Sequence, residues 1–234
     1  MPKKTPADPG STIPSPNPSS TLFFHNPSEP FGQFSQWHPS PFTIPTSTIF
    51  DLVGHHPTDD ATIPGGSHHH HHHSIEFNCA EQFMMYCKAS RFRDTQTRSK
   101  IMATRDPKEQ KLLGKQTAGF DAESWDEVKF RVVVAGNMAK FGQNPKLKAR
   151  LLGTGERELA EAAKRDRVWG IGYHARLADK YRKSWGWNLL GKALMEVRGK
   201  LREEEEEGEE EEGEEEEGEE EEAAQGERRD WVQE

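Results

Sequence analysis

Cysteine is nearly absent: Cys79 and Cys87 are the whole supply in 234 residues. On one helix their eight-residue separation holds the Cα atoms about 12 Å apart, beyond the reach of a bridge. A disulfide framework is excluded, and reduced thiols are expected. Long apolar runs are also missing. With no stretch near about 18 apolar residues and no charged-then-apolar start, neither a membrane span nor a secretory signal is expected, which points to the cytosol or the nucleus. There is no Gly-rich phosphate loop, zinc pattern, Ser/His/Asp constellation or dinucleotide fingerprint, so metal and nicotinamide chemistry have no support and no cofactor is expected.

Apolar residues are scarce as a class, 32% of the chain, and they concentrate between Leu22 and Leu201. That length suits one domain with one core, expected over residues 21–202. Residues 1–20 are a Pro/Ser-rich arm with almost no large apolar side chain to offset the entropy of ordering it. Residues 203–234 open with a Glu/Gly run whose five-residue period matches neither a helix nor a coiled coil, and dense like charge predicts an extended, solvated tail. Glu203 to Glu222 contains 17 glutamates, and removing them takes the formal net charge from −9 to +8. The folded part is therefore basic, which suits a phosphate-bearing ligand or nucleic acid.

From Leu22 to Pro45, aromatics interleaved with Pro, Gly and Asn predict short strands and turns. A polar stretch, 46–74, follows with Asp59, Asp60, Gly65, Gly66 and six histidines, His68 to His73. It reads as an inserted low-complexity loop or engineered tag, because a floppy imidazole run lacks the outer shell that fixes a metal site. A strand is expected to resume at Ile75–Phe77. Helical spacing then predicts helices at Cys79–Phe92, capped by Asn78, and at Thr95–Ala103, Pro107–Gly114 and Ala122–Phe141, the last capped by Asp121. Further helices are expected at Pro145–Leu152, Glu156–Ala163 and Leu189 to about Arg202. The fold class is α+β, a predominantly helical single domain with a small β region near its N-terminus.

On the helix that starts near Cys79, Glu81 and Lys88 lie seven residues apart and return to within about 20° of one direction. Such a pair is ordinarily a solvated charge pattern. Here the rest of the helix is apolar and aromatic (Phe83, Met84, Tyr86, Phe92), so a Glu and a Lys on it call for a reason. Desolvation favours the neutral, nucleophilic amine, and a neighbouring carboxylate shuttles protons for it. A second candidate is Arg165–Gly172, where Asp166, Trp169 and two glycines offer an acid, a stacking face and close backbone approach. A structural turn around a core Trp is the competing reading.

FGQFSQW (31–37), FNCAEQFMMYCKA (77–89), GFDAESWDEVKF (119–130), AKFGQNP (139–145), LLGTGERELAEA (151–162), DRVWGIG (166–172) and NLLGKALMEVR (188–198) resemble, in order and spacing, the NADAR or YbiA-like family. The resemblance covers the whole expected domain. It implies an N-glycosidase that cleaves a ribose C1 to exocyclic amine bond, in ADP-ribosylated guanine or in phosphoribosylated aminopyrimidines near riboflavin synthesis. It implies Lys88 as a Schiff-base nucleophile, Glu81 as its proton-transfer partner and Asp166 as the residue that orients the ribose or assists ring opening. Phe34, Ser35, Gln36, Trp37, Trp125, Trp169, Gly170 and Asn188 match positions expected to bind substrate, with Gln36 standing where the family commonly has Asn. Expected partners are an ADP-ribose or ribose-phosphate compound and ADP-ribosylated nucleic acid. Two other functions fit the same sequence: a module that binds such nucleotides without cleaving them, and an interaction protein whose acidic tail meets basic partners.

Overall fold

The computed structural model describes residues 21–54 and 73–208. Strand β1 (Leu22–Phe24) pairs in parallel with β4 (Leu159–Glu161), and β2 (Phe42–Pro45) pairs antiparallel with β3 (Ser74–Phe77). Between and after them run α1 (Thr46–Val53), α2 (Ala80–Arg91), α3 (Thr95–Ala103), α4 (Pro107–Lys115), α5 (Ala122–Gly142), α6 (Pro145–Leu152) and the short α7 (Ala175–Ala178). A last helix, α8, is described from 189 to 208. The fold is mostly helical with two small sheets, as expected.

Helix α2 is the centre of the core. Cys79, Ala80, Phe83, Cys87 and Ala89 are almost inaccessible, and α3, α4 and α5 pack around it. Phe83 meets Phe77 edge-on at 5.1 Å and Phe42 at 6.1 Å, the offset geometry that aromatic quadrupoles favour. Close approach requires glycine on the neighbours: a Cβ on Gly136 of α5 would stand 2.5 Å from the Phe83 ring, and one on Gly114 of α4 would stand 2.1 Å from the Met85 sulfur. α2 starts at Cys79 with no side-chain cap. Asn78, expected as the cap, instead donates to the Arg105 carbonyl and accepts from Gln110. Asp94, Asp106 and Asp121 do cap α3, α4 and α5, each accepting a backbone N–H of the first turn.

Three further expectations are corrected. The 46–74 stretch is not all loop, because Thr46–Val53 forms α1, with Ile49 and Val53 buried four residues apart on one face. Its base is closed by Thr46, whose backbone N–H and hydroxyl both donate to the His73 carbonyl; Asp59, Asp60, Gly65, Gly66 and His68–His72 lie outside the described residues. Glu156–Ala163 is not a helix, although Leu, Ala and Glu favour one. Its backbone bonds to β1 instead, with Leu159 and Ala160 fully buried, so tertiary pairing overrides local propensity. Finally, residues 203–208 are not extended. They prolong α8, a helix already nucleated and anchored by Leu190, Leu194, Val197 and Leu201, and Glu205 pairs there with Lys148 of α6 at 2.9 Å. Residues 1–20 and 209–234, including most of the acidic run, lie outside the described residues.

Candidate functional site

The loop 31–37 is built before anything can react on it. Lys140 of α5, fully buried, donates to the carbonyls of Gln33 (2.7 Å) and Ser35 (2.9 Å). Burial pulls its pKa down to about 7. Asn137, one turn earlier on α5, donates to the Gln36 side chain at 3.0 Å, and the Gln36 carbonyl accepts from the backbone N–H of Glu81 at 3.0 Å. Phe34 is buried on Phe24, Phe31 and Phe141. Of the four residues expected to bind substrate from this loop, Phe34, Ser35 and Gln36 therefore work inward, fixing the loop.

Trp37 is the residue the loop presents. Its indole Nε1–H donates to Glu81 Oε2 at 3.2 Å, and Lys111 of α4 stands 5.8 Å from its ring centroid. Glu81 lies in the first turn of α2 and is only 4% exposed. Burial raises its pKa to about 7; Lys111 and the Trp37 hydrogen bond oppose that, and Asp166 adds to it. A carboxyl poised there can accept and return a proton near neutrality.

A second carboxyl faces the same place. Glu161 ends β4, and its pKa is raised to about 8 by burial, then by Asp166, against the pull of Lys111, with Glu81 adding further. Its Oε2 is buried with no partner among the described residues. The backbone around it is clamped. Asn188 Oδ1 accepts from Glu161 N–H at 3.1 Å while Asn188 Nδ2 donates to the Leu159 carbonyl at 2.8 Å. Ile171 N–H donates to the Glu161 carbonyl, and a Cβ on Gly170 would stand 2.8 Å from that oxygen. Asn188 holds a left-handed φ of 52° to do this, a conformation Asn tolerates better than other side chains.

Asp166 Oδ1 accepts from the N–H groups of Val168 (2.9 Å) and Trp169 (2.8 Å), so one oxygen shapes the turn while its charge acts on both glutamates. The structure thus brings together Glu81, Trp37 and Asp166 of the expected residues, and sets Gly170 and Asn188 against the backbone of β4 at Glu161; Trp169 donates its backbone N–H to Asp166 and packs on the core. Trp125 is a buried core residue. Lys88 is not gathered to Glu81: seven residues of helix put about 10 Å of rise between them, and the cation acting on Glu81 is Lys111. The Lys88 ammonium instead sits 3.9 Å over the Phe120 ring. It is half-buried, and desolvation with the nearby Lys115 charge lowers its pKa.

Lys111 and Glu161 escape the sequence reading. Lys111 looks like one of several solvated lysines on a short amphipathic helix. Glu161 left a signal, as the one charge within Leu159–Ala163, but assigning that stretch to a helix hid the pairing with β1 that fixes its place. Among the described residues no group of three or more His, Cys, Asp or Glu is placed to hold a metal ion, and no helix is long and apolar enough to cross a membrane.

The NADAR domain model matches residues 22–202. The N-glycosidase R617 of Acanthamoeba polyphaga mimivirus is 43% identical over 125 residues, which are 53% of this chain and 74% of that protein. The N-glycosidase YbiA of Escherichia coli is 32% identical over 120 residues, 51% of this chain and 69% of YbiA. Its NMR structure superposes with a TM-score of 0.56 at 24% identity, covering 80% of this chain and 88% of YbiA. The riboflavin biosynthesis protein VVA0006 of Vibrio vulnificus is 30% identical over 130 residues, 56% of this chain and 33% of that protein.

Proposed function

The chain belongs to the NADAR domain family, and from that premise we propose that it hydrolyses the bond between ribose C1 and an exocyclic amine, in ADP-ribosylated guanine or in a phosphoribosylated aminopyrimidine. The observation that carries the reading is Glu81: a buried carboxyl with a pKa of about 7, oriented by the Trp37 indole beside a lysine and two further acids. General acid–base work at neutral pH needs a group tuned in this way. Relatives named as N-glycosidases support the reaction class.

A ribosylamine opens to an imine at C1, and a neutral amine attacks that carbon, expels the original amine and is itself released by water. Lys88 supplies the amine in this reading. Its pKa is depressed by desolvation, and it projects from the same face of α2 as Glu81, two turns along. Glu81 moves the protons, and Asp166 orients the ribose hydroxyls.

Incubation with an ADP-ribosylated guanine oligonucleotide and, separately, with a phosphoribosylaminopyrimidine tests this directly. Borohydride quenching and mass spectrometry are expected to find a sugar adduct on Lys88, and Lys88→Ala to lose both adduct and turnover. Turnover that survives Lys88→Ala would sink the Schiff-base step. Tight binding of both compounds without turnover would make the protein a binding module.

A further inference from the structure

The geometry points to Glu161 as the acid that delivers a proton to the departing amine, with Glu81 as the base that works opposite it. This rests on the glycosidase reading of the site and assigns a role to a residue that reading leaves unused.

Three observations support it. First, the backbone of Glu161 is held on three sides, through the pairing of β4 with β1, through both functions of the Asn188 amide, and through Ile171 N–H. Holding a strand end this firmly fixes where its side chain reaches, which a positioned proton donor requires. Second, Glu161 Oε2 is buried without any partner among the described residues. A buried polar oxygen left unpaired is costly and is expected where a ligand completes the site. Third, the groups that face it are asymmetric in charge: Asp166 from the turn and Glu81 from α2 repel a second negative charge, and among the described residues Lys111 from α4 supplies the opposing cation.

The consequence is a division of labour. Burial raises both carboxyls, and a negative charge on Glu81 favours the protonated form of Glu161. A pair that shares one proton supplies one carboxylate and one carboxylic acid, the arrangement that hydrolysis of a glycosidic bond uses in general. The step balances as follows. Lys88 adds to C1 of the opened imine; the C1–N bond to the original amine then breaks, its electron pair stays on that nitrogen, and the nitrogen takes the Glu161 proton and leaves as a neutral amine. Water adds to C1 of the Lys88 imine that remains, giving its proton to the Glu81 carboxylate; the C1–Lys88 bond breaks as the hydroxyl proton passes to the Lys88 nitrogen, and the two acids return to their starting state by exchanging one proton.

The test uses the full chain and a series of N-aryl ribosylamine phosphates whose aniline leaving groups range from basic to nitro-substituted. An amine that leaves readily as its anion does not need the acid. Glu161→Gln, close to isosteric, is expected to lose about 10²–10⁴-fold on the basic anilines and to approach the wild-type rate on the nitroanilines. It is also expected to remove the decline in wild-type rate above about pH 8, where Glu161 ionises. Equal deficits across the series, or a pH profile unchanged by Glu161→Gln, would overturn the assignment while leaving the glycosidase reading intact. A wild-type protein inert toward the whole series, and toward the two substrates named above, would overturn both.

Discussion

Replacing Glu81 with glutamine is expected to stabilise the protein while removing its chemistry, and the pH at which the stabilisation appears follows from burial. The folded carboxyl has its pKa raised from an ordinary 4.5 to about 7. A raised acid contributes stability that is complete below the unfolded value and is lost as pH rises through the folded one. Between pH 4.5 and 7 the unfolded chain releases this proton and the folded chain keeps it. At about 1.4 kcal/mol per pH unit the wild type loses about 3 kcal/mol over that window. Glutamine has no proton to lose and still accepts from the Trp37 indole. The two proteins should therefore be close in stability at pH 4.5, diverge up to pH 7, and differ by about 3 kcal/mol from pH 8 upward, a Tm gap of roughly 6–12 °C for a domain of this size. Urea or thermal denaturation at pH 4.5 and pH 8 measures it, and in the subtraction every other titrating group largely cancels. A gap that is equal at both pH values would refute the reasoning, because it would show that the carboxyl ionises normally in the fold. Turnover of Glu81→Gln should meanwhile fall about 10²–10⁴-fold.

Lys140 runs the opposite way. Its pKa is depressed from 10.5 to about 7, so it contributes stability that is present at high pH and lost as pH falls through 7; relative to Lys140→Met, the wild type should gain stability between pH 7 and pH 10, and a flat difference in denaturation midpoints would contradict this. The same substitution leaves the Gln33 and Ser35 carbonyls without their donor, so KM should rise as the Trp37 loop loosens. At Asn188, alanine meets the left-handed φ of 52° and glycine does not feel it, although both lose the amide's two bonds to β4. Alanine should therefore cost about 1–2 kcal/mol more than glycine, and equal unfolding energies would show that the backbone relaxes there.

How much of this was legible in the chain depended on how local each feature's cause is. The caps at Asp94, Asp106 and Asp121 were local, since each aspartate meets an N–H two or three residues on. Asp121 was readable for that reason. The helices α3 and α6 were found at their bounds because Pro and Asp punctuation surrounds an unbroken pattern. Helix α1 was missed because eight residues followed by a polar, His-rich run leave periodicity too little to work with. Strand β4 was misread because its partner, β1, lies 137 residues earlier, and nothing in a Leu-Ala-Glu sequence announces a strand.

The sequence by itself determined that the chain is predominantly helical with a small β region, that the helix carrying Glu81 and Lys88 is apolar around much of its circumference, and which family's motifs it bears. Those are properties of composition, period and order. Which charges act together was decided only in three dimensions. Spacing along α2 joined Glu81 to Lys88, whereas the folded chain surrounds Glu81 with Trp37, Lys111, Asp166 and Glu161, drawn from a loop, a neighbouring helix, a turn and a strand end. Electrostatic coupling falls with distance and strengthens where water is excluded, and both depend on packing between segments that the sequence keeps far apart.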